Sequence, residues 1–199
     1  VNAALDKIAD YAETGTTSPA TTDYAASGVT GVTDGNLAAI NSAINSQNGV
    51  DNILGNADDR GGADTTAEVQ AIVDAYNKIL AAADGNATDN TTGTAVPTAS
   101  DYAAIGVAVD NATAVLLSDV IDGKATTDVD SVADIQTLAN AAQATVAYVG
   151  NNTAPTLMQL QALVSGVAAG NLDSVLAALA QANTNTTGTN ANLPVTQAE

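Results

Sequence analysis

"SPATTDYAASGVTGVTDGNLAAINSAI" (18–44) returns as "VPTASDYAAIGVAVDNATAVLLSDVI" (96–121), and more faintly from Pro155 onward. Proline opens each copy, at 19, 97 and 155, with a weaker echo at 194. Proline lacks the N–H that a helix interior needs but tolerates the first turn, so each marks the start of a short helix. Thr98-x-x-Asp101 and Thr156-x-x-Gln159 read as its caps, with Asp23 at the matching place in the first copy. Tyr24, Tyr102 and Leu160 share the position five residues after the proline and read as the apolar anchor. Gly28, Gly106 and Gly166 then stop the helix. A further helix is predicted behind each stop, over about 34–46, 110–122 and 170–182.

A second pair of matching segments surrounds this one. "TTAEVQAIVDAYNKILAAADG" (65–85) aligns with "SVADIQTLANAAQATVAYVGN" (131–151). Thr65-x-x-Glu68 and Ser131-x-x-Asp134 resemble capping boxes, in which the hydroxyl accepts from the third helical N–H and the acid reaches back. Behind them Val69, Ile72, Val73, Tyr76, Ile79, Leu80 and Ala83, then Ile135, Leu138, Ala142, Val146 and Val149, recur at helical spacing. Gly85 and Gly150 close the two long helices. The opening "DKIADYAETG" (6–15) matches the back half of the first, "NKILAAADG" (77–85). Each long helix therefore ends one unit and begins the next. No stretch alternates with period two. The expected fold is all-α: tandem three-helix bundles joined by shared long helices, elongated, in which each unit touches its neighbours. The expected units are 1–64, 65–127 and 128–183, with 184–199 as a linker.

Composition bounds what such a chain does. It has 199 residues, with no Cys, His, Trp or Phe, and a formal net charge of −18 from 22 acids and 4 basic residues. Ala dominates the apolar set, and small side chains bury little area each, which points to several small helical cores rather than a large one. The charge repels nucleic acid and anionic membrane surfaces, and no apolar run is long enough to span a bilayer. The start at Val1 reads as a cut from a longer polypeptide. Without Cys there is no disulfide framework and no thiolate nucleophile or metal ligand; without His the usual general base is missing too. Adjacent acids such as Asp58 and Asp59 lack a cleft to tune them, so no catalysis is expected.

The longest connection, 46–65, carries Asp51, Asn56, Asp58 and Asp59. Hard cations take six to eight such oxygens, which makes these four the candidate calcium ligands and calcium the only cofactor to consider. Their spacing matches no regular calcium loop, and a solvated turn rich in local hydrogen bonds is the competing reading. The same holds for "DGNATDNTTGTA" (84–95). Tyr11, Tyr76 and Tyr148 sit on apolar helix faces and read as core packers.

The order of long helix, short "PT-x-x-DY-x-x-x-G" helix, "VT" turn and third helix "NL-x-x-IN-x-x-I" resembles GA-like modules, which recur in tandem in large bacterial surface proteins and adhesins. The match is fullest from Pro19 to Ile44. The second unit keeps Pro97, Thr98, Asp101, Tyr102 and Gly106; the third keeps Pro155, Thr156 and a glycine. The resemblance implies an extracellular setting on the bacterial cell surface and a structural or adhesive segment acting as a spacer, monomeric within a longer chain. The alternatives are a module that binds a host protein or a glycan, and a calcium-rigidified extender. Better-known GA modules bind serum albumin, but no albumin-contact residue maps onto this chain, and its acidity opposes an acidic partner.

Overall fold

A computed structural model describes residues 2–47, 62–87, 96–148 and 152–186 of the chain. Among them the fold is all-α, with nine α-helices, one 3-10 turn and no strand beyond a single antiparallel bridge between Asp84 and Ala125. In order these are α1 (Ala3–Thr14), α2 (Thr21–Ala26), α3 (Leu37–Asn45), α4 (Thr66–Ala82), α5 (Ala99–Ala104), α6 (Asn111–Asp122), the turn Thr126–Asp128, α7 (Val132–Ala147), α8 (Leu157–Leu163) and α9 (Leu172–Thr186).

The local signals act as expected at most helix ends. α4 opens on a complete capping box: Thr65 Oγ1 accepts from Glu68 N at 3.2 Å, and Glu68 Oε2 accepts from Thr65 N at 3.1 Å. At α7 only half of the box forms. Ser131 Oγ accepts from Asp134 N, but the Asp134 carboxylate takes the serine hydroxyl instead of reaching the backbone. α1 ends at Gly15 with φ 64°, and Gly85 follows α4 with φ 82°, both left-handed turns that favour glycine. Gly150 and Val149 lie outside the described residues.

α2 and α3 pack on α1, while α4 also packs on α3. α4 then receives α5 and α6, and α7 packs on α6 before receiving α8 and α9. The predicted apolar faces are inside: Val69, Val73, Tyr76, Ile79 and Ile135 are fully buried.

The expectation of several small cores is corrected. One cluster runs without a break from Ile8 through Tyr24, Ile40, Tyr76, Tyr102, Leu117 and Ile135 to Leu163. Only Tyr148, Leu160, Val167 and Leu179 form a separate, smaller core under α9. Alanines explain the fusion. Ala39, Ala43, Ala75, Ala141 and Ala142 are buried, and their small side chains let neighbouring backbones approach until a few Ile, Leu and Tyr fill the space between. Several polar ties cross between the segments 1–64, 65–127 and 128–183. Ser42 Oγ accepts from Val132 N at 2.8 Å, Tyr76 donates its hydroxyl to Val129 O at 3.0 Å, and Ser46 Oγ lies 2.9 Å from Ile105 O.

Candidate functional site

The recurring proline-led joint is the most elaborate feature of the described chain. Pro19, Pro97 and Pro155 are all buried at the approach to α2, α5 and α8. Behind each, one carboxylate or amide folds back onto the backbone. Asp23 Oδ2 accepts from Ala20 N at 2.8 Å, Asp101 Oδ2 from Thr98 N at 2.7 Å, and Gln159 Oε1 from Thr156 N at 2.8 Å. The cap of α2 is thus an alanine whose N–H is satisfied by Asp23, and the hydroxyl of Thr98 turns to Asp101 rather than to the helix. Tyr24 and Tyr102 are completely buried, and Leu160 nearly so. Gly28, Gly106 and Gly166 adopt φ of 86°, 87° and 88°. Gly28 and Gly106 directly follow the ends of α2 and α5, but α8 already ends at Leu163 with Val164 extended. Gly166 instead takes the place of Gly31, its carbonyl accepting from Asn171 as that of Gly31 accepts from Asn36.

Two buried polar relays lie behind the tyrosines, and sequence reading missed both. Tyr24 donates its hydroxyl to Asn41 Oδ1 at 2.6 Å, and Asn41 Nδ2 donates to Pro19 O at 2.9 Å. In the second unit Ser118 Oγ donates to Pro97 O at 2.7 Å. Its only proton is spent there, so the Tyr102 hydroxyl, 2.9 Å away, is the donor to Ser118. Burial pushes both phenols well above their ordinary pKa, which keeps them as donors at any physiological pH. Each relay ties the carbonyl of the opening proline to the third helix and then to the short helix. The available signal was a polar residue inside an apolar face: Asn41 beside Ile40, and Ser118 between Leu117 and Val120. In the third unit Leu160 and Leu176 stand at the two matching positions, and both belong to the small apolar core.

An ion pair recurs in the same two units. Lys7 of α1 meets Asp23 at 2.5 Å, and Lys78 of α4 meets Asp101 at 2.8 Å. These are two of only four basic residues in the chain. The Lys7 ammonium, with the Ala20 N–H, holds the Asp23 carboxyl below the usual range. Burial alone would raise Asp101, but Lys78 and Thr98 outweigh it and lower it. Asp110, which caps α6 through Thr113 N at 2.7 Å, is lowered by that bond. A carboxyl lowered on folding contributes stability that is present above its unfolded pKa of about 4 and is lost as pH falls through its folded value. Stability should therefore fall below about pH 4. Lys7→Met should flatten that fall, because Asp23 loses its largest stabilising partner. Thermal melts of both chains across the acid range check this. Parallel curves would mean the pair adds nothing on folding.

The calcium candidates Asp51, Asn56, Asp58 and Asp59 lie outside the described residues. Of the 84–95 stretch, Asp84 Oδ1 accepts from Asn86 N at 2.8 Å, the local turn of the solvated reading. Among the described residues no three acids converge as a metal group. A groove of about 470 Å³ runs between the Pro97 joint and α6 and is lined by Ala99, Ala114, Val115, Ser118 and Asp119. Val115 is 42% exposed there, and Met158 on α8 is 81% exposed; these are the large apolar side chains most open to solvent among the described residues. Tyr76 and Tyr148 are buried and Tyr11 packs against the core, in line with their reading as packers. No described helix is long and apolar enough to cross a membrane. No protein-family model matches the chain, and neither a curated protein nor a solved structure shows significant similarity to it.

Proposed function

We propose that the chain is a spacer segment of a secreted bacterial surface protein, an array of tandem three-helix bundles joined by shared long helices. It holds a ligand-binding end away from the cell. The observation that carries this reading is the double use of α4 and α7. α4 packs on α3 and also on α5 and α6, and α7 packs on α6 and also on α8 and α9. A helix that belongs to two bundles leaves no soft linker between them, which is what a stiff spacer needs. The continuous core from Ile8 to Leu163 and the Ser42–Val132 tie add to that stiffness.

The setting is supported by chemistry rather than by a site. A net charge of −18 with no cysteine suits a salt-rich exterior, where ions screen the self-repulsion and neighbouring acidic chains keep apart. The GA-like order of motifs points the same way. The buried relays and caps are spent on holding helices together, so the described residues contribute architecture rather than chemistry.

Small-angle scattering tests the reading. A compact globule of this length has a radius of gyration of about 16 Å. The array should give a larger value and a distance distribution with a long tail, at monomer mass. A symmetric distribution near the compact value would overturn it.

A further inference from the structure

The third helix of each unit can be compared position by position. Asn36 and Asn171 build the same turn: Asn36 Oδ1 accepts from Thr33 N and its Nδ2 donates to Gly31 O, while Asn171 does the same with Ala168 N and Gly166 O. This sets the register between α3 and α9. The Tyr–polar–Pro relays set the register between α3 and α6. In α3, Ala39, Ile40, Ala43 and Ile44 are all buried, and in α6 so are the matching Leu116, Leu117, Val120 and Ile121. Of the four matching positions in α9, only Leu179 is buried. Ser174 and Ala178 are exposed, and Val175 is only partly buried, at the edge of the small core.

The difference has a visible cause. α3 is covered by the long helix that follows it, α4, and α6 by α7. Among the described residues no helix follows α9, which packs mainly on α7. We propose that the Ser174–Val175–Ala178 face of α9 seats the front half of a further capped helix, supplied by another repeat of this kind in the same polypeptide. That helix opens with a hydroxyl residue and an acid three places on, and presents branched aliphatics at helical spacing, as Val69, Ile72 and Val73 do on α4. A second intact copy in trans does not fit. The front halves of its α4 and α7 are already buried, with Val69 and Ile135 at 0% exposure. The inference rests on the tandem reading above.

The test extends the full chain at its C-terminus with a copy of residues 128–148, or with the same residues scrambled. Hydrogen exchange is then read on α9. The native copy should slow α9 exchange about tenfold relative to the scrambled one. Ala178→Glu should abolish that slowing while leaving the melting of the unextended chain unchanged, because Ala178 is exposed there. Equal exchange with both extensions, or slowing that survives Ala178→Glu, would overturn the proposal. Scattering from the unextended chain separates the two ideas. An elongated chain with no effect on α9 exchange removes the seat and leaves the spacer.

Discussion

Tyr102→Ala should destabilise the chain by about 3–5 kcal/mol, the usual cost of removing a large buried aromatic side chain. Tyr102 has no exposed surface and sits in the continuous cluster, so little can collapse into the space it leaves. Tyr102→Phe keeps the packing and isolates the hydroxyl. Ser118 still donates to Pro97 O, so only an acceptor site on Ser118 goes unused, at a cost of about 0.5–1.5 kcal/mol. Tyr24→Phe should cost more, about 1–3 kcal/mol, because it strips the donor from the buried amide oxygen of Asn41. Urea unfolding of the four chains, parent included, measures these differences directly. Equal costs for the two Tyr→Phe changes would mean the donor assignment in the relays is wrong.

Gly106→Ala should be the second large effect, at about 2–4 kcal/mol, from left-handed backbone strain and a broken tie together. Gly106 has φ 87°, and an added Cβ would lie 2.7 Å from Ser46 Oγ. The Ser46 hydroxyl has one proton for two acceptors, Ala43 O at 2.7 Å and Ile105 O at 2.9 Å, and so sits between the end of α3 and the end of α5. Gly166 has nearly the same φ, but nothing lies within 4 Å of the place its added methyl would take. Gly166→Ala should therefore cost only the strain, about 1–2 kcal/mol. The gap between the two, read from urea midpoints, measures the Ser46 tie. If the two substitutions cost the same, the tie is energetically silent.

The all-α fold could be read from short-range signals because each acts within one turn of helix. Pro19 and Pro97 mark openings, Glu68 reaches Thr65, and Gly28, Gly106 and Gly166 impose a backbone few other residues adopt. The periodicity of Val69, Ile72, Val73 and Tyr76 placed the buried face of α4 correctly. What could not be read joins residues far apart in the chain. Lys7 finds Asp23, Ser42 finds Val132, and Tyr76 finds Val129, and no local pattern announces any of these pairs. The fused core escaped for a related reason. Alanine is scored as a weak core former by area, yet its main contribution here is to let backbones approach. The joint itself was legible as an anchor and a stop, but its relay was not. Asn41 and Ser118 look like ordinary polar residues until the proline carbonyl and the tyrosine hydroxyl are brought to them.

The separation of the small Tyr148–Leu160–Val167–Leu179 core from the long cluster has a mechanical consequence. The two cores should open separately, the smaller one first. α9, held mainly through the small core, should open first, while α8 stays with the rest because Leu163 belongs to the long cluster and Lys124 donates to Ala162 O. In the proposed spacer role, that end would give way under load and leave the long core closed.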